Sequence, residues 1–178
     1  MRNTFRIKTI CLIAFTLFAV NLLLAGCNRN KANEQIAVSD KEKITLVTTA
    51  SIQDSGLLDF LLSAFASEKG WEVDVLAVDS LAALEMGREG KADVLLVNAR
   101  ADEFKFVEDD YGIIRFDVMD NYGVILVNPT LHPYINAEGG YDFVNWIISD
   151  SAQTLIGQYG IKEFGGALFT PNADANFQ

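Results

Sequence analysis

The sequence predicts an α/β domain: a single lobe with a mostly parallel sheet flanked by helices. Three observations carry that expectation. Short β-branched or continuous apolar runs recur at 44–49, 72–78 and 94–97. Stretches of helical spacing separate them, the order that parallel strands with right-handed crossovers require. No internal repeat or low-complexity tract points to another architecture.

In chain order, Ile44-Thr-Leu-Val-Thr-Thr49 has the composition of a buried strand. Ser51 followed by Asp54 reads as a Ser-x-x-Asp capping box. Leu57, Leu58, Leu61, Leu62 and Phe65 then recur at helical spacing, which predicts a helix over 52–68 closed by Gly70. Residues 72–78 alternate as a strand. Residues 81–88 form a helix stopped at Gly90, 94–97 a continuous apolar strand, and 101–108 a short helix. Residues 113–118 and 122–127 are strand-like. Asn128-Pro129 and His132-Pro133 mark a loop. Helices are expected over 141–148 and 151–159, with Phe143 and Trp146 in the core. The tail 164–171 returns as an extended segment.

The N-terminus addresses the compartment. Arg2, Arg6 and Lys8 form a basic stretch, and residues 10–24 are apolar except for Thr16 and Asn21. That run is too short and wrongly flanked for a membrane span and suits a signal-peptide core. It ends in Leu24-Ala25-Gly26-Cys27, which resembles the bacterial lipoprotein signal. The resemblance implies a signal peptide over 1–26, a lipid on Cys27 and an extracytoplasmic, membrane-anchored domain. An ordinary signal peptide or signal anchor that happens to hold a cysteine is the alternative. Diacylglycerol anchors stably at about 0.8 kcal/mol per buried CH₂. Residues 27–43 are polar and read as a flexible tether, leaving 44–178 as the lobe.

Cys11 leaves with the signal, so no disulfide and no thiolate metal site is expected in the mature chain. Three of the 14 bases leave as well, whereas all 24 acids remain, giving a net charge of −13 on 152 residues. Such a chain repels nucleic acid and anionic head groups, and no nucleic-acid partner is expected.

In open α/β sheets, ligands sit beyond the carboxyl ends of the strands, at helix N-termini. The first strand runs into Thr48-Thr49-Ala50-Ser51, three hydroxyls where first-turn N–H groups are free, a candidate oxyanion site. By pattern alone Ser51 reads first as a helix cap and the threonines as strand packing.

The stretch Ile44-Thr-Leu-Val-Thr-Thr-Ala-Ser-Ile-Gln-Asp-Ser-Gly-Leu-Leu58 resembles the opening of the tungstate/molybdate-binding proteins of ABC importers, with their Thr-Thr-Thr-Ser-Thr-Gln-Asp-Ser-Gly-Leu-Leu motif. The likeness continues through Gly90-Lys-Ala-Asp-Val-Leu-Leu-Val97, Val127-Asn-Pro129, His132-Pro133 and Leu168-Phe-Thr-Pro171. It implies a periplasmic-binding-protein-like lobe, oxyanion contacts at Thr48, Thr49 and Ser51, tungstate or molybdate as ligand, and an ABC permease as partner.

Three departures accompany it. Phe116-Asp-Val-Met-Asp120 runs straight into Asn121-Tyr-Gly-Val-Ile-Leu-Val127, where the family inserts a second lobe of about a hundred residues. Asp79-Ser80-Leu81 replaces a Gly-Thr-Gly, setting a carboxylate near the expected anion at a cost of about 1–4 kcal/mol. Ala50 replaces a threonine. A lone lobe is therefore expected to bind at millimolar concentration or more weakly.

Other function classes find less support. His132, the chain's single histidine, precedes a proline in a loop, and neither Ser51 nor Ser55 has a histidine near it in sequence to act as base. The acid pairs Asp102-Glu103 and Asp109-Asp110 read as solvated charges. No metal-ligand spacing or phosphate loop is visible, and Gly139-Gly140 and Gly165-Gly166 read as turns or caps. No enzymatic activity, cofactor or metal is expected. The alternative is a one-lobed docking module or non-binding remnant, using apolar surface uncovered around Phe116 and Tyr122.

Overall fold

The computed structural model describes residues 43–174. The expected signal peptide, Cys27 and all of the expected tether except Lys43 lie outside the described residues. Lys43 already belongs to the fold, pairing with Glu72 and Asp74 at 3.2 Å each.

The elements follow in the order β1 (Ile44–Thr49), α1 (Ala50–Asp54), α2 (Leu57–Lys69), β2 (Val73–Val78), α3 (Ser80–Arg88), β3 (Val94–Val97), α4 (Arg100–Glu108), β4 (Gly112–Met119), β5 (Tyr122–Val127), α5 (Ala137–Ile147), α6 (Asp150–Gln158) and α7 (Ile161–Phe164). The strands form one sheet in the order β2-β1-β3-β5-β4. β1 pairs in parallel with β2 and β3, as strands joined by crossover helices must. β5 then runs antiparallel to both β3 and β4. The expectation of a mostly parallel sheet thus holds for β2-β1-β3. At the far edge the Asp120-Asn121 turn makes β4 and β5 a hairpin, so that β5 alone runs against the other four strands.

Burial on both faces explains the continuous apolar runs of β3 and β5 and the β-branched composition of β1. On one face Leu46, Leu96, Val124 and Leu126 pack with Leu58, Phe65, Phe143, Trp146 and Ile156. On the other, Val47, Leu95 and Ile125 pack with Leu84 and Phe106. Phe143 and Trp146 are core residues, as expected, and both lie about 5.2 Å from the Phe65 ring. Asp93 ties the amino-terminal end of the sheet, accepting from Thr45 N at 2.6 Å and Asn136 N at 2.7 Å.

The expected helix over 52–68 is two helices. Gly56 breaks it in a left-handed conformation (φ 75°). Tyr159, from the far end of the domain, holds the break by donating to Ser55 O at 2.7 Å. The expected capping box does not form. Thr49 is the N-cap of α1 and makes no side-chain cap bond, which leaves the Ser51 hydroxyl available.

Gly139-Gly140, expected as a turn or cap, lies in the first turn of α5, where Gly139 N donates to the N-cap Asn136 side chain. A Cβ there would stand 2.7 Å from the Ile44 side chain or 2.5 Å from that of Leu126, so the pair lets α5 seat closely on the sheet.

The tail forms α7 and then runs back to the hairpin. Asp120 N donates to Thr170 O and Asn172 N to Val118 O, each at 2.9 Å, and Met119 bridges to Pro171. The tail thereby braces the β4–β5 turn, whose residues Asp120 and Asn121 stay exposed. Among the described residues no helix is long and apolar enough to cross a membrane.

Candidate functional site

The carboxyl ends of β1, β2 and β3 share one edge of the sheet, since Thr49 stands opposite Val78 and Thr48 opposite Leu96. β5 starts at the same edge, with Gly123 opposite Val97. Three hydroxyls meet across the end of β3. Thr49 Oγ1 lies 3.0 Å from Ser51 Oγ and 3.1 Å from Tyr122 Oη, and Ser51 Oγ lies 2.7 Å from Tyr122 Oη. Thr49 and Tyr122 are buried and Ser51 is exposed, so the triangle opens to solvent on the serine side. Each hydroxyl carries one proton and two lone pairs, so the ring can satisfy itself or turn its protons outward to an anion. The first-turn N–H groups of α1 have no acceptor within the helix and lie beside it.

Of the three expected contacts, the structure brings together Thr49 and Ser51 but not Thr48. Thr48 is fully buried and its hydroxyl donates to Leu96 O at 2.7 Å, so its proton holds β1 to β3 rather than facing the edge. Tyr122 takes the third place. Sequence reasoning marked it only as a residue of possible uncovered surface. Its signal was its position directly after the abrupt junction at Asp120-Asn121.

Asp79, expected as an obstacle to an anion, is the N-cap of α3, accepting from Leu81 N and Ala82 N at 3.0 Å. Both bonds go to its Oδ1, and this capping role accounts for a carboxylate at that position.

A charge cluster lies under the same edge. Arg115 Nε donates to Glu103 at 2.9 Å and Arg115 Nη1 to Asp117 at 2.7 Å, while Arg100 Nη1 also binds Asp117. Burial pushes the Glu103 carboxyl above its ordinary range, with Arg115 opposing. Burial acts in the same direction on Asp117, but the hydrogen bonds and charges of Arg100 and Arg115 outweigh it and hold that carboxyl below its ordinary range. The pair Asp102-Glu103, expected to be solvated, is corrected at Glu103, which is fully buried on Arg115.

His132 sits in the loop after β5, near Gly90, at the opposite end of the sheet from the hydroxyls. As the chain's single histidine, it leaves Ser51 without an imidazole base. An apolar groove of about 710 Å³ runs beside α1, lined in part by Asp54, Phe60, Tyr159, Phe164 and Leu168.

An α/β lobe with hydrogen-bonding groups gathered beyond its parallel strand ends places them where ligands sit in open α/β sheets. The family model described as "PBP superfamily domain" matches residues 32–120, half of the sequence, and the chain belongs to that superfamily. Its role is substrate binding rather than catalysis.

The tungstate-binding protein TupA of Peptoclostridium acidaminophilum is 28% identical, over an alignment covering 93% of this chain and 99% of that protein. That alignment has 283 positions against 178 residues here, so more than a hundred of its positions face a gap in this chain. A putative ABC transporter anion-binding protein of Haloferax volcanii is 37% identical over 62% of this chain and 36% of its own length. In three dimensions, the tungstate-binding protein TupA of Desulfovibrio alaskensis superposes with a TM-score of 0.68 at 21% identity, covering 73% of this chain and 98% of that one.

Proposed function

We propose that this chain is the extracytoplasmic substrate-binding component of an ABC importer, of the tungstate/molybdate oxyanion type. A lipid on Cys27 anchors it, 1–26 is the signal, the tether runs from 27 to the residue before Lys43, and a single lobe follows. The site is the triangle of Thr49, Ser51 and Tyr122, with Thr48 behind it as a structural wall. The observation that carries the reading is this convergence of three hydroxyls at the carboxyl edge of a lobe whose relatives include tungstate-binding proteins.

The second lobe is absent. The long gap against the Peptoclostridium protein supports this, as does the two-residue turn that joins β4 directly to β5. One lobe limits affinity. Turning three hydroxyls outward exchanges three neutral hydrogen bonds of about 1 kcal/mol for three charge-assisted ones of about 2 kcal/mol. The gain of roughly 3 kcal/mol is smaller than the ~4 kcal/mol or more that association costs. Binding is therefore millimolar or weaker unless a further donor joins. Titrating the full chain in detergent with tungstate, molybdate and sulfate tests this. A weak response to tungstate and molybdate is expected, and sub-micromolar binding by a monomer contradicts the one-lobe account.

The groove beside α1 favours a second reading, a docking module, because Phe164 is 70% and Phe60 42% exposed at its rim. Concentration-dependent mass of the full chain separates the two readings.

A further inference from the structure

The hydroxyl triangle holds no charged donor, yet a cation stands at the same edge. Arg100 opens α4 three residues after Val97, and Val97 faces Gly123, the residue next to Tyr122. Neighbouring strands lie about 4.8 Å apart, so the Thr49–Tyr122 contact spans the end of β3, from which Arg100 emerges. The Arg100 side chain is 53% exposed, its Cζ 5.2 Å from the centre of the Phe104 ring, and Nη1 binds Asp117 Oδ1. Asp117 does not depend on that bond, because Arg115 Nη1 donates to the same oxygen at 2.7 Å. If Arg100 leaves, no buried carboxylate is stranded without its charge partner. Arg115 itself cannot leave: it is 4% exposed and also holds Glu103.

We propose that Arg100 is the charged donor of the oxyanion site, leaving Asp117 to meet a tetrahedral dianion held by Thr49, Ser51 and Tyr122. This rests on the oxyanion reading of the hydroxyl triangle. Within it, Arg100 takes over part of the charge compensation that a second lobe would supply. Asp117 acts as its parking place and keeps the empty site from presenting a bare cation.

The test is a ¹H–¹⁵N NMR titration of the full chain in detergent micelles with sodium tungstate at matched ionic strength. The Ser51 amide and the Arg100 Nε–H resonance are expected to shift together along one binding curve. Arg100→Gln should weaken the affinity reported by Ser51 roughly 10- to 100-fold and flatten its salt dependence, with amide dispersion otherwise unchanged. Arg100→Lys should restore part of both. If Ser51 saturates while the Arg100 resonance stays fixed, or if Arg100→Gln binds as the parent does, the role of Arg100 is overturned and the oxyanion reading stands. If neither resonance responds, the oxyanion reading falls and this inference with it.

Discussion

Gly123→Ala should destabilise the domain, although glycine-to-alanine changes at a compatible backbone usually stabilise by about 0.4–1 kcal/mol. Gly123 has no positive φ, so its backbone accepts alanine. The obstacle is space. An added Cβ would lie 2.2 Å from Glu103 Oε2 and 2.7 and 2.8 Å from Arg115 Nη2 and Nε. No rotation of the new methyl relieves this, so the Glu103–Arg115 pair must part. Glu103 is fully buried and Arg115 nearly so, and separating such a pair costs about 3–5 kcal/mol. Set against the entropic gain, the net loss is about 2–4 kcal/mol, a fall in Tm of roughly 8–15 °C for a domain of this size. Thermal unfolding followed by circular dichroism reads it directly. A variant melting within 2 °C of the parent would refute the claim that the close approach of β5 to this ion pair fixes the glycine.

Three other outcomes follow from the same geometry. Asp93→Ala leaves the part-buried donors Thr45 N and Asn136 N without their carboxylate and should cost about 1–3 kcal/mol, read as a lower urea midpoint at unchanged m. Tyr122→Phe removes one hydroxyl but keeps the Thr49–Ser51 contact. Stability should stay within about 1 kcal/mol of the parent while tungstate affinity falls about 5-fold or more, measured by NMR titration. Because its folded pKa is depressed, Asp117 contributes stability that is complete above the ordinary aspartate range and is lost as pH falls through the lowered folded value. Glu103 has the opposite sign: its raised folded pKa makes stability decline as pH rises from the ordinary glutamate range towards that value. Asp117→Asn should therefore flatten the acid limb of a Tm-against-pH profile.

Sequence pattern revealed what depends on local periodicity. β3 and β5 were legible because strands covered on both faces need continuous apolar runs, β1 because it is rich in β-branched residues, and α2 because its leucines repeat every three or four residues. The break at Gly56 was not, since the contact that holds it comes from Tyr159, about a hundred residues away. The Asp120-Asn121 hairpin was visible as an abrupt junction, but its antiparallel register was not.

Within the site, Thr49 and Ser51 could be read from the first strand–helix junction. Thr48 could not be separated from them, because which threonine turns inward depends on its pairing with Leu96 in β3. Tyr122 joins only through the β1–β3–β5 order. The Arg100, Glu103, Arg115 and Asp117 cluster is assembled from α4 and β4, and no spacing in the sequence marks it.

The most direct test of the oxyanion site is tungsten anomalous scattering from crystals of the protein grown with tungstate. The account predicts a peak within hydrogen-bonding reach of the Thr49, Ser51 and Tyr122 hydroxyls at the carboxyl edge of β1 and β3. A tungsten peak elsewhere on the domain with none at these hydroxyls, in crystals grown at tungstate concentrations well above millimolar, contradicts it.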